Sequence, residues 1–127
     1  HAGDAVLRTV AAMLVKQCRP GDLVCRFGGE EFCIIAPQTT EAGAAELAER
    51  LRTMFESVPI PIGGRSETIT TSCGIAEAWG WADDSDAMIR RADRALLAAK
   101  TRGRNRVVMS SVLSEEDDRE LARAVTR

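Results

Sequence analysis

The apolar residues between Thr40 and Ser57 recur with the 3.6-residue period of an α-helix, and no other stretch of the chain keeps this period so cleanly. The positions on this face are Ala44, Leu47, Ala48, Leu51, Met54 and Phe55. A stripe of this width must be buried against a second layer, so it predicts an amphipathic helix packed on a core. Thr39 or Thr40 is expected to cap the start of the helix, and Pro59 and Pro61 stop it.

The same reasoning places the other elements. Helical spacing predicts helices over about residues 4–18 and 86–101, with Gly103 placed to close the second one. Strands are predicted over about residues 23–27 and 31–36, joined by a hairpin at Gly28-Gly29, and over about 68–78 and 105–109. Ser114 has the form of a helix start, and Leu121, Ala122 and Val125 would give a short amphipathic helix. The order predicts an α+β domain with helices against a mostly antiparallel sheet.

Composition restricts the class of protein. The 127 residues suit one domain, which we place at residues 1–109, followed by an acidic helix or linker over residues 110–127. Seventeen Lys and Arg against 19 Asp and Glu argue against a nucleic-acid binder. The 45% hydrophobic content excludes disorder, and no apolar run approaches the roughly 20 residues that a membrane-spanning helix needs.

Four cysteines, at positions 18, 25, 33 and 73, form no C-x-x-C pair. We interpret them as small buried hydrophobic residues in a reducing compartment, so the domain is expected to be cytoplasmic. A membrane anchor elsewhere in a longer protein stays open, and the start at His1 suggests a piece of such a protein.

The hairpin carries the most chemically suggestive segment, Arg26-Phe27-Gly28-Gly29-Glu30-Glu31-Phe32. Paired glycines let a ligand approach the backbone, and their N–H groups can point at phosphate oxygens. Two adjacent carboxylates supply hard oxygen ligands for Mg²⁺. An ordinary Gly-Gly turn with solvated acids would have the same local sequence, and local chemistry leaves both interpretations open.

This segment resembles the signature of GGDEF domains, the diguanylate cyclases, in the variant with Glu at the third position. Four further stretches resemble that family's motifs in the same order: Gly3-Asp4-x-x-Leu7, Thr70-Thr71-Ser72-Cys73-Gly74-Ile75, the segment from Arg91 to Lys100, and Gly103-Arg104-Asn105-Arg106-Val107. Together they span about residues 3–109, which makes the resemblance far more specific than a lone glycine-rich turn.

The resemblance implies a palm-like nucleotide-cyclase fold. It also implies condensation of two GTP molecules into cyclic di-GMP, with release of two pyrophosphates, across a homodimer in which each domain holds one GTP. By position, Glu30 and Glu31 would act as catalytic residues and ligands of Mg²⁺ or Mn²⁺. Gly28 and Gly29 would lie against the nucleotide, and Asp4 would accept from the guanine edge. Lys100 and Arg104 would hold the terminal phosphates.

A second constellation resembles the family's inhibitory R-x-x-D site. Arg19-Pro20-Gly21-Asp22 has its spacing, and Arg50 matches the additional arginine of that site. The product, cyclic di-GMP, would bind there and inhibit the enzyme. A polar turn beside an exposed helix arginine is the alternative.

The resemblance also implies what residues 1–127 lack. The family's first strand and helix, with an Asp metal ligand and an Asn to the guanine, have no counterpart here. His1 lies one place too close to Gly3 to match the family's histidine. The chain alone is therefore expected to be inactive, and an upstream sensor or regulatory domain is expected in a longer protein. Two alternatives stay open: a receptor for cyclic di-GMP or GTP, and a structural dimerisation module.

Overall fold

A computed structural model describes residues 3–126, and the side chains of residues 3–124. His1 and the side chain of Val125, both used above, lie outside this part. The four α-helices of this part are α1 (Asp4–Gln17), α2 (Glu41–Ser57), α3 (Ser85–Thr101) and α4 (Glu115–Thr126). The strands are β1 (Leu23–Gly28), β2 (Glu31–Ile35), β3 (Ile60–Ile62), β4 (Arg65–Glu67), β5 (Cys73–Ile75) and β6 (Val107–Met109), and a short 3₁₀ turn covers Ser110–Val112.

The strands pair in twos. β1 and β2 form the predicted antiparallel hairpin, β3 and β4 form a second one, and β5 pairs with β6 in parallel. Within residues 3–126 these three pairs are separate two-stranded sheets, where the sequence predicted one mostly antiparallel sheet. The mixed α+β class is confirmed.

Two segments were predicted wrongly. β3 and β4 turn at Gly63-Gly64, and their three-residue strands are too short for any alternating pattern to reveal them. The β-branched run from Thr68 to Ser72 precedes β5 without joining it. In this run, the Ile69 N–H donates a backbone hydrogen bond to the Phe55 carbonyl at 3.3 Å.

The core has two centres. The first lies between α1, α2 and β3, where Val10, Leu14, Leu51, Phe55 and Ile60 are buried. The side chain of Thr40 caps α2 by accepting from the Gly43 N–H. Of the two candidate caps, Thr39 and Thr40, it is therefore Thr40 that caps the helix.

The second centre lies between α3, β6 and α4. Ala95, Ala98 and Ala99 have 0% exposure, and small side chains let α3 approach the strands closely. Leu121 on α4 is buried in the same cluster, so the acidic tail is a helix docked on α3. A domain boundary after residue 109 stays a prediction. None of the helices in residues 3–126 is long and apolar enough to cross a bilayer.

Candidate functional site

The turn between β1 and β2 requires its glycines. Gly29 has φ 52° and Gly28 has φ 153°, and the register shifts between Arg26 and Gly28. Left-handed backbone of the kind seen at Gly29 costs a residue with a Cβ more than it costs glycine. The Arg26 guanidinium holds the turn by donating from Nε and Nη2 to the Gly29 carbonyl, at 3.0 and 2.8 Å.

One acid of this turn, Glu31, lies beside the end of α3. Glu30 and Glu31 are both exposed, and Glu31 Oε2 accepts from Lys100 Nζ at 3.1 Å. The two residues are far apart in sequence, so this ion pair shows that the fold brings the hairpin and the predicted phosphate-binding lysine together. An exposed pair contributes little to stability. The ion pair is therefore informative because it places Lys100 beside the hairpin turn.

A cleft of about 340 Å³ runs between α1 and the same hairpin. Its lining residues are Asp4, Leu7, Arg8, Ala11, Val15, Val24, Arg26 and Phe32. Asp4 begins α1 directly after Gly3, which places its carboxylate in the first turn of the helix. The cleft thus combines apolar walls with one acid and two arginines.

Arg104 follows the end of α3. Its N–H donates to the Ala99 carbonyl at 2.9 Å, and its own carbonyl accepts from Arg106 Nε at 3.0 Å. Gly103, with φ 117°, reverses the chain after the helix as predicted. Lys100 is the residue of this segment for which the structure records a contact with the hairpin.

A second cavity, of about 330 Å³, is formed by Arg19, Pro20, Gly21, Asp22, Pro37 and Gln38. The Asp22 side chain is only 2% exposed, and its Oδ2 accepts from the Arg19 N–H at 2.9 Å. The Arg19 side chain is 59% exposed, and its Nη2 donates to Thr39 Oγ1. Arg50 is exposed on α2 and is not among the residues that line this cavity.

The donor set of the turn can be compared with what a divalent cation needs. No cluster of three or more His, Cys, Asp or Glu side chains suited to a metal occurs among the residues that the structure describes. Mg²⁺ is nevertheless often held by only one or two carboxylates, with substrate phosphates and water completing the octahedron. Glu30 and Glu31 fit that more limited arrangement.

Residues 1–106 match the sequence model of a protein family that is described as "Diguanylate cyclase, GGDEF domain". This chain belongs to the GGDEF domain family.

Named relatives agree with the family match. The response regulator PleD of Caulobacter vibrioides is 41% identical over 108 residues, which cover 84% of this chain and 24% of PleD. Diguanylate cyclase DgcP of Pseudomonas aeruginosa is 41% identical over 106 residues, covering 84% of this chain and 16% of that protein. The chain therefore spans a quarter or less of the length of these two relatives.

Solved structures agree in fold. The GGDEF domain of DgcB from Caulobacter crescentus, solved in complex with c-di-GMP, superposes with a TM-score of 0.76 at 32% identity, over 85% of this chain and 64% of that one. The active GGEEF domain of a diguanylate cyclase from Vibrio cholerae gives 0.75 at 32% identity, over 84% and 67%. The palm-like cyclase fold is thereby confirmed.

Sequence reasoning assigned no functional role to several residues of these sites, among them Arg26, Pro37 and Gln38. Arg26 was quoted within the signature, yet its hold on the Gly29 carbonyl depends on a bulge that the sequence does not reveal. Pro37 and Gln38 line the second cavity because β2 ends there, and Gln38 has φ 53°. Pro37 and Gln38 directly follow the predicted second strand of the hairpin. The hairpin prediction alone could therefore have indicated them as candidate cavity residues.

Proposed function

We propose that this GGDEF domain binds GTP in the cleft between α1 and the β1–β2 hairpin and serves diguanylate cyclase chemistry. The observation that carries the proposal is that three predicted groups lie on or beside one hairpin. Glu31 and Lys100 form an ion pair there, and Asp4 lines the cleft that the hairpin borders.

The cleft suits a purine base with a guanine edge. Leu7, Val24 and Phe32 offer apolar walls to the flat ring. A carboxylate such as Asp4 can accept two N–H bonds from guanine, a pair of donors that adenine does not present. The proposal therefore places the base near Asp4 and the phosphates toward the turn.

The turn and the end of α3 suit the phosphates. The N–H groups of Gly28 and Gly29 can face phosphate oxygens without a Cβ in the way. Lys100 supplies a cation at the turn, and Arg104 follows on the same connection. Mg²⁺ held by Glu30 and Glu31 would neutralise phosphate charge when bound.

The reaction itself joins two nucleotides. Each domain of a homodimer would hold one GTP, so that each 3′-hydroxyl faces the α-phosphate of the other nucleotide, and two pyrophosphates leave. The work of this chain is positioning and charge neutralisation, which supply most of the catalysis in phosphoryl transfer. Similarity to diguanylate cyclase DgcP supports this chemistry for the family.

A chimaera tests the proposal. Residues 3–109 of this chain would replace the matched segment of diguanylate cyclase DgcP, which is 41% identical. We expect the chimaera to form cyclic di-GMP from GTP and Mg²⁺, measured by liquid chromatography. Glu30→Ala should lower the rate at least about hundredfold, because charge stabilisation at the reacting phosphates is lost.

The matched control is Glu46→Ala, which removes an exposed carboxylate from α2. It should leave turnover unchanged, and circular dichroism should show the same fold for both variants. Near-normal turnover in Glu30→Ala would contradict the assigned role. A folded chimaera that makes no cyclic di-GMP would favour the receptor or dimerisation alternatives.

We further propose that cyclic di-GMP binds in the second cavity and inhibits turnover. The exposed Arg19 guanidinium can stack on guanine and form paired bonds with phosphate. Asp22 holds the Arg19 backbone, which presents that side chain at the cavity. In this proposal Asp22 also accepts from the guanine edge, and Arg50 contributes from α2.

Calorimetry with the 127-residue chain tests the product site. Arg19→Ala should weaken cyclic di-GMP binding at least about tenfold, because a charge-assisted contact contributes roughly 1.5–3 kcal/mol. Arg50→Ala should also weaken it, while Arg65→Ala, which removes an exposed arginine of β4, should not. Equal affinity in the wild type and Arg19→Ala would show that residues 19–22 are only a turn.

A further inference from the structure

Two cysteines lie directly opposite each other on the signature hairpin. The antiparallel register of β1 and β2 pairs Cys25 with Cys33. Directly opposed residues of an antiparallel pair project to the same face of the sheet. Both thiols are free, Cys25 is exposed and Cys33 is half-buried. The expectation that every cysteine is a buried hydrophobic residue is therefore wrong for Cys25, and Cys18, Cys33 and Cys73 are only half-buried.

The spacing of such a pair suits a disulfide. Opposed residues of an antiparallel ladder have Cα atoms about 4.5 or 5.5 Å apart, depending on the hydrogen-bonding position. Disulfides span Cα distances of about 4.4–6.8 Å, so either position permits the bond.

The exposed Cys25 is the thiol that an oxidant in solution reaches first, and the half-buried Cys33 lies directly opposite it.

We propose that Cys25 and Cys33 are a redox modification site, at which hydrogen peroxide or an alkyl peroxide drives formation of a reversible disulfide across the hairpin. Exposed disulfides are the labile kind that thiols reduce again.

The chemistry balances with peroxide as the two-electron oxidant. The Cys25 thiolate attacks one peroxide oxygen, the O–O bond breaks, and Cys25 becomes a sulfenic acid while water or an alcohol leaves. The Cys33 thiolate then attacks the Cys25 sulfur, the S–S bond forms, and hydroxide leaves and is protonated to water. Two thiols are oxidised and one peroxide is reduced.

The pair lies on the back of the nucleotide cleft. Arg26 and Phe32, the next pair in the register, line that cleft together with Val24. Successive residues of a strand point to opposite faces, so Cys25 and Cys33 face away from it. The bond can form without occupying the cleft, which makes this site independent of the proposed function.

Peptide mapping tests the proposal on the reduced 127-residue chain. After treatment with hydrogen peroxide, the remaining thiols are alkylated and the chain is digested with trypsin without reductant. Cleavage after Arg26 separates the two cysteines into residues 17–26 and 27–50, because the Arg19-Pro20 bond resists trypsin. We expect these two peptides to be joined, and dithiothreitol to release them with both thiols restored.

Variants identify the bond, since residues 17–26 also contain Cys18. Cys18→Ser and Cys73→Ser should keep the joined peptides, and Cys25→Ser should abolish them. Cys25 is exposed, so its replacement leaves the fold intact, which circular dichroism checks. Joined peptides that persist in Cys25→Ser, a disulfide between two chains on a non-reducing gel, or irreversible oxidation of Cys25 without a crosslink would each overturn the proposal.

Discussion

Gly74 lies where β5 packs closely against the backbone of α3. A Cβ built on it would lie 2.2 Å from the Leu96 backbone nitrogen and 2.3 Å from the Ala92 carbonyl oxygen. Both atoms belong to the backbone of α3, so no side-chain rotation can relieve the overlap. The glycine of the Thr70–Ile75 motif is thus required by packing, and it fixes where α3 lies over β5.

Replacing Gly74 with alanine should separate α3 from β5. We expect Gly74→Ala to cost about 3 kcal/mol or more in the free energy of unfolding, the upper range for overpacked sites. Urea titration followed by circular dichroism measures this. Gly43→Ala on α2 is the control, because its Cβ would meet only Thr side chains at 3.3 Å and alanine favours helix. Similar stability losses in both variants would contradict this explanation.

Site residues could be predicted only as far as residue type and order determine them. Glu31 and Lys100 were both assigned to the nucleotide site because both positions match ordered motifs, and the structure joins them in an ion pair that was not predicted. Asp22 shows the limit: its residue type predicted a guanine acceptor, but the sequence did not reveal that its Oδ2 also accepts from the Arg19 N–H. Which N–H groups a carboxylate oxygen in a turn accepts from depends on the backbone angles of the turn. Sequence spacing does not specify those angles.

At the scale of elements, α4 depends on polar contacts at its start. Ser114 and Asp117 bond reciprocally: Ser114 Oγ accepts from the Asp117 N–H at 3.1 Å, and Asp117 Oδ2 accepts from the Ser114 N–H at 2.8 Å. This is the arrangement of a capping box, with Asp in the place of Glu. Arg102 Nη2 also donates to Asp117 Oδ1 at 3.1 Å and joins α4 to the end of α3.

Acid should release this contact. The backbone N–H and hydroxyl of Ser114, with a smaller effect of Arg102, hold the pKa of Asp117 below its ordinary value. A lowered folded-state pKa gives stability that is present above the unfolded value of about 3.9 and is lost as pH falls through the folded value. The protection factors of the α4 amides, which correct for the pH dependence of intrinsic exchange, should therefore fall below about pH 4. Asp117→Asn should remove much of that dependence and Glu116→Gln, on the same turn, should not.

For the elements, long periodic segments were predictable and short pairs were not. The spacing of apolar residues placed α1, α2 and α3 within a residue or so, because burial of one helix face is encoded locally. β3 and β4 were missed since Pro59 and Pro61 indicated only the end of a helix. The run at Thr68–Ser72 has strand propensity, yet pairing depends on a neighbouring strand, which propensity does not supply.

At the scale of the whole molecule, α2 joins two core centres. Phe55, with 0% exposure, lies in the cluster with α1 and β3. Arg52 of the same helix donates to Asn105 Oδ1 at 3.1 Å, next to the cluster of α3 and β6. The strand pairs β1–β2 and β5–β6 lie in separate sheets among the described residues. Each of these strands thus has one edge with no strand hydrogen-bonded to it.

Open strand edges should make the chain self-associate. Unpaired N–H and C=O groups on the outer edge of a strand are a template for another chain. Leu23, Phe27 and Ile35 expose large apolar side chains on the same hairpin, which adds area for association. We expect sedimentation velocity to show a shift from monomer to dimer as concentration rises into the range of about 10⁻⁵–10⁻⁴ M, the affinity of weak interfaces.

Ile35→Lys should weaken the association at least about tenfold, since a charged side chain on an edge strand opposes pairing. Val112→Lys, at an exposed apolar position outside the hairpin, is the matched control and should behave as the wild type. A chain that stays monomeric throughout this range, or equal association in Ile35→Lys, would show that these edges do not recruit a partner.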